Sequence, residues 1–305
     1  MIVLAIEQAL NGLQLGVTLF LMSAGLTLTF GIMGVINLAH GSLYMVGAYS
    51  AAYVTLLSGS FAAGIMAALL VMLVLGLLLE VTVVRPLYRR SHLDQVLATF
   101  ALILVFNGCT SWLFGRQPFQ IEVPSFLSGV IHFTPEFYYP VYRLAIICVG
   151  AVIAALLFFL IARTRVGMLV RAGSTHRELV SVLGVNLPIL FSFIFSFGAV
   201  LAGFAGGIIG PIQAVEVGMG DQMVILAFVV IVIGGIGSVR GALVASLLVG
   251  VVDALGRSLI PHALKQIVDP ALASPIGVGI SATSVYVVMA IVLLIRPSGL
   301  FAGRV

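Results

Sequence analysis

The sequence predicts an all-α, polytopic membrane protein: a bundle of eight or nine transmembrane segments with broken helices. Three observations predict it. Of 305 residues, 62% are hydrophobic and 8% are charged, against roughly a quarter charged in a soluble domain. Thirty-four glycines among so few charges suit closely packed helices better than the alternating strands of a membrane barrel. The charge-free windows are also long: residues 8–79, 95–115, 144–162, 179–215, 222–239, 241–252 and 271–295. A crossing helix needs about 20 residues. Residues 1–305 therefore read as one transmembrane domain.

The first twelve residues, MIVLAIEQALNG, carry no basic n-region and no small-residue cleavage site, so the N-terminus reads as retained. The first window holds three crossings, near residues 11–30, 42–58 and 62–84. Single crossings follow near 94–114, 143–162 and 189–210, then a glycine-broken pair at 222–239 and 241–256, and a last one at 276–295.

Residues 31–49, GIMGVINLAHGSLYMVGAY, interrupt the first window with glycines, Asn37, His40 and Ser42. Polar interruptions at membrane depth are costly unless they face an interior cavity, so this stretch is a candidate pathway element. A lone histidine beside glycine and asparagine is more often a hydrogen-bonding structural residue than a proton relay, and here Asn37 and His40 are expected to hold the break by hydrogen bonds. A second break, IVIGGIGSVRG at 231–241, repeats the spacing: Gly34 and Gly41 are seven apart, as are Gly234 and Gly241, with Gly235 and Gly237 between the latter pair. That repetition reads either as an internal repeat or as chance in a glycine-rich chain.

Arginine placement gives the orientation. Arg85, Arg89 and Arg90 fall in one short loop, and Arg163, Arg165, Arg171 and Arg177 in another, which places both in the cytoplasm. Residues 116–143, with Glu122, Glu136 and four prolines, read as an outer loop. Counting spans puts the C-terminus inside, and the N-terminus outside if residues 31–41 reach the inner face. Glu80 and Asp94 flank the first arginine loop and read as membrane-face residues. Asp253 reads as the partner of Arg257 at i+4.

Residues 163–186 are too polar to cross and form a cytoplasmic loop with a short amphipathic helix. Val166, Leu169 and Val170 precede Arg171, and Leu179, Val182 and Leu183 follow at helical spacing before Gly184. A docking surface and a helix lying on the membrane both fit that periodicity. Beyond it, Gly198, Ala202, Gly206 and Gly210 recur every four residues, a small-residue face for close helix packing.

Chemistry-bearing motifs are missing. The sequence has no G-x-x-x-x-G-K-[ST], no H-E-x-x-H, no G-x-S-x-G and no paired carboxylates in one span, and its basic residues form loops rather than a nucleic-acid-binding surface. Cys109 and Cys148 sit in apolar runs without metal or disulfide spacing and read as small buried hydrophobes.

Four stretches carry a resemblance: GLTLTFGIMGVINLAHGSLYMVGAY (25–49), TRVGMLVRAGSTHRELVSVLGVN (164–186), VIGGIGSVRGALVASLLVGVVDAL (232–255) and IRPSGLF (295–301). Together they resemble the permease subunits of branched-chain amino acid ABC importers, and the smaller, H-type permease more than its longer partner. The resemblance implies a bacterial-type inner-membrane subunit that binds no cofactor itself. It implies a second homologous permease in a heterodimer, two cytoplasmic ATPase subunits that bind ATP, and an extracytoplasmic substrate-binding protein. It assigns residues 163–186 to ATPase coupling, with Arg165, Gly167, Arg171, Ala172, His176 and Gly184 in that role. Ser42 and His176 stand where many members carry an acidic residue. The family also includes importers of urea, amides and organic acids. A transporter or channel acting alone is the rival from another class, and it lacks its usual intramembrane carboxylate.

Overall fold

The computed structural model describes residues 2–135, 137–175, 185–267 and 269–301. Helix α1 (Ile2–Leu28) runs on into a π turn, Thr29–Met33. After a short non-helical stretch come α2 (His40–Ser58) and α3 (Phe61–Leu79), the latter extended through a second π turn, Glu80–Val84, to Leu87. Helix α4 is His92–Phe114, α5 Val141–Arg163, α6 Arg165–Thr175 and α7 Leu187–Ile209. Helices α8 (Met219–Gly234), α9 (Val239–Leu264) and α10 (Pro270–Ile295) complete the bundle. Among the described residues seven helical stretches are long and apolar enough to cross a membrane. The other two expected segments are α8, which is short, and α2, whose first half is buried and carries His40, Ser42 and two tyrosines among its apolar residues. The chain is thus an integral, multi-pass helical membrane protein.

Helix α1 starts well before residue 11. Asn11 Oδ1 accepts hydrogen bonds from Tyr139 (3.1 Å) and Arg143 (2.5 Å), so this end of α1 is pinned to the start of α5. The outer loop is more ordered than expected: β1 (Val130–Thr134) and β2 (Phe137–Pro140) pair as an antiparallel hairpin. Phe119 and Val215 exchange two backbone hydrogen bonds of 2.9 Å, tying this loop to the segment before α8.

Depth in the bundle does not follow hydropathy. The apolar window of α1 is 83% buried, whereas those of α4 and α10 are 11% buried. Lipid is as apolar as leucine, so peripheral helices expose leucine freely and the centre is chosen by small residues that let backbones approach. Helix α7 shows this. A Cβ on Gly198 would lie 3.2 Å from the backbone of Gly25 on α1, and one on Gly206 would overlap the Tyr44 carbonyl on α2. Ala202 between them is fully buried, and Gly210 faces Ile121 of the outer loop. Cys109 and Cys148 are free but exposed, not buried as expected, because they lie on the outward faces of α4 and α5.

Contacts sort the loops to two ends. The Met33 end of α1, α6, the first turns of α7, the 235–238 turn and residues 298–301 gather at one end, together with Arg85. The start of α1, the hairpin and the 211–218 segment gather at the other. The arginine-rich loops share the first end, the one the arginine rule expects to be inner, and the start of α1 lies at the opposite end.

Candidate functional site

The first break follows the π turn. Gly34 adopts φ 66°, a left-handed conformation that ends the turn, and its N–H donates to the Phe30 carbonyl at 3.0 Å. Residues 35–39 have no helical partners for their amides, and α4 supplies two. The Ile36 N–H donates to Gln95 Oε1 (3.2 Å) and the Leu38 N–H to Thr99 Oγ1 (3.3 Å), while Gln95 Nε2 donates to the Leu87 carbonyl. Gln95 and Thr99 are therefore what holds the break. Their signal was a polar pair at i, i+4 in an apolar helix, each 3% exposed or less.

Asn37 and His40 do not hold it. Both are buried, at 2% and 1% exposed, but Asn37 Nδ2 and both ring nitrogens of His40 form no well-shaped hydrogen bond. The His40 ring lies beside the Met22 carbonyl on α1, and its backbone N–H reaches Asn37 O at 3.4 Å. The physical reason is division of labour: the turn presents its amides to α4 and its side chains to the interior. Ser42 Oγ, Thr27 Oγ1 on α1 and Ser196 Oγ on α7 are likewise buried without a protein partner. Such atoms are few in folded proteins and call for a functional explanation or a bridging water.

The second break is supported differently. Gly235 (φ 98°) and Gly237 (φ 79°) make the turn after α8, and Ser238 Oγ accepts the Gly241 N–H at 3.0 Å to start α9. The carbonyls freed at the end of α8 are taken by the C-terminal segment: Leu300 N–H donates to Ile233 O (2.8 Å) and Phe301 N–H to Gly234 O (3.0 Å). Gly234 and Gly241 press directly on each other. The shared seven-residue spacing thus gives two turns with unlike supports.

The fold brings the two breaks together. A Cβ on Gly31 would stand 2.5 Å from Gly237 Cα, and Gly41 meets Gly220 backbone to backbone where α8 begins. Bulk at any of these points would push helices apart. Helix α6 rests on the same place. It packs along α5 and the Thr29–Met33 turn, with Val170 buried among Leu28, Leu160, Phe193, Ile194 and Phe197. Gly167 abuts the Ile161 backbone, and the Arg171 guanidinium donates to the Ile161 carbonyl. Arg165 is exposed and Ala172 half-buried, whereas His176 and Gly184 lie outside the described residues.

One buried charge went unread in the sequence. Glu80 is fully buried within the protein. Its carboxylate accepts from Arg85 Nη2 (2.9 Å), from Ser192 Oγ on α7 (2.5 Å) and from the Tyr88 hydroxyl. Burial, and then the adjacent carboxylate, push the Tyr88 phenol well above its ordinary range, so it remains a donor. Asp253, by contrast, pairs with Arg257 at 2.8 Å as expected.

Multi-pass helical bundles with broken helices that meet one another recur among membrane transport proteins, and this chain has that architecture. The family described as branched-chain amino acid transport system / permease component matches residues 8–296, and the chain belongs to that family. It is 28% identical to the high-affinity branched-chain amino acid transport system permease protein LivH of Salmonella typhimurium, over 98% of this chain and 96% of that one. Similarity to the permease protein BraD of Pseudomonas aeruginosa is the same in identity and coverage. A probable LivH of Methanocaldococcus jannaschii is 27% identical over 78% of this chain and 76% of its own. No solved structure matches.

Proposed function

We propose that this chain is one half of the translocation pathway of an ATP-driven importer for branched-chain or related amino acids, working by alternating access in a cell inner membrane. The observation that carries this reading is the seating of α6 on the π turn that leads into the first break, with Gly31 against Gly237 of the second. A push on α6 reaches both breaks at once. Single-turn π distortions recur at functional positions, where they let a helix shift register locally. The buried unpaired groups of Asn37, His40 and Ser42 stand where the backbone opens, and they line the path beside Gly34, Gly41 and the 234–241 turn.

Partners complete the system. A second, homologous permease supplies the other half of the path, two ATPase subunits bind and hydrolyse ATP beneath α6, and an extracytoplasmic binding protein delivers substrate. Residues 163–186 form the docking element, with Arg165, Arg171, Ala172, His176 and Gly184 in coupling roles and Gly167 seating the helix against Ile161. Family resemblance and the exposed arginines of α6 support this. The full complex in vesicles tests it: Arg171→Ala or Gly184→Val is expected to leave assembly and ATP hydrolysis in place while uptake per ATP falls. Normal uptake per ATP by both variants would overturn the coupling assignment.

A further inference from the structure

A groove of about 620 Å³ opens at the outer end of α4, within the range of small-molecule sites. One wall is the α4 face with Asn107, Ser111 and Trp112, continued by Arg116, and the other is Glu216 and Val217 in the segment before α8. The reciprocal Phe119–Val215 hydrogen bonds fix the two walls, since Arg116 lies three residues before one anchor and Glu216 directly after the other.

Arg116 and Glu216 share this groove, yet neither is in an ion pair among the described residues. A guanidinium and a carboxylate on facing walls, neither engaged in an ion pair among the described residues, are complementary to a small zwitterion, its anionic group toward Arg116 and its ammonium toward Glu216. The opposing wall leads straight into Met219 and Gly220, where α8 meets the first break at Gly41. We propose that this groove is an entry subsite for the ammonium and carboxylate of a free amino acid, ahead of the path itself. The inference rests on the import reading above and adds the place where substrate is first held. An ethanolamine phospholipid headgroup carries the same pair of charges and is the competing source.

Trp112 is the only tryptophan in the chain and lines the groove, so it reports directly. The full chain in phosphatidylcholine nanodiscs is titrated with L-leucine, leucinamide (no carboxylate) and 4-methylpentanoate (no ammonium), following Trp112 emission. The expected result is a saturable response to leucine, with each single-charge analogue about tenfold weaker, and a similar loss in Arg116→Gln and Glu216→Gln. The exchanged pair Arg116→Glu with Glu216→Arg should recover part of it. Circular dichroism identifies variants that fail to fold, and for those the analogue series on the native chain decides alone. Equal responses to all three probes, or none, would overturn the proposal. So would a response to ethanolamine lipid in the nanodisc with none to leucine, which assigns the groove to a headgroup. Intact leucine uptake by the complete system alongside a silent groove would overturn this subsite and leave the import reading standing.

Discussion

Glu80 shows most clearly what single residues contribute. Its buried carboxylate takes three donors, one of them Ser192 from another helix. Glu80→Ala is expected to lower stability by about 3 kcal/mol, near the low end for a broken buried pair because Arg85 is partly exposed; thermal unfolding in detergent reads the loss. Gln95→Leu should cost about 1–3 kcal/mol by stranding the Ile36 amide. Asn37→Leu and His40→Leu should behave oppositely, with the unfolding midpoint unchanged or raised and uptake reduced, because Asn37 Nδ2 and the His40 ring nitrogens make no well-shaped hydrogen bond within the chain. A lowered midpoint in both would mean that they hold the break after all. The Asp253–Arg257 pair was legible because both partners lie one helical turn apart. Glu80 with Ser192 was not, since its second helix lies more than a hundred residues on and spacing carries no information across that distance.

Helices were legible in order and approximate place from charge-free length and glycine breaks, but not to their ends: α9 runs to Leu264 beyond the expected 256, and α10 starts at Pro270 ahead of the expected 276. Where α1 begins was missed, as polar Asn11 reads like a loop until the hairpin that binds it is known. Which helices sit at the centre was only partly legible: the four-residue recurrence on α7 pointed inward, but α1 and α4 have equal hydropathy and opposite burial. Helix pairing depends instead on individual glycines. Gly41→Ala should impair folding, since its Cβ would overlap the Gly220 backbone, whereas Gly279→Ala on α10 meets nothing and should be neutral or stabilise by up to about 1 kcal/mol. Fluorescence-detected size exclusion of the two variants distinguishes them, and equal behaviour would remove the close-approach argument.

For the whole molecule, the two-ended arrangement places the Met33 end of α1 with the arginine-rich loops, a point that arginine counting alone left open. The start of α1 and the hairpin share one end, and the arginine-rich loops the other. After Cys109 and Cys148 are replaced by alanine, an impermeant maleimide applied to intact cells should label Thr134→Cys and not Arg90→Cys; the reverse pattern would invert the molecule. In the proposed reading, work done at the end where α6 sits passes through that helix to the contact between the two breaks. Uptake of radiolabelled leucine into vesicles is the most direct test. With the partner permease, the two ATPases and the binding protein present, uptake should require ATP, and the chain alone should carry nothing. Gradient-driven uptake by the purified chain without ATP would contradict the account.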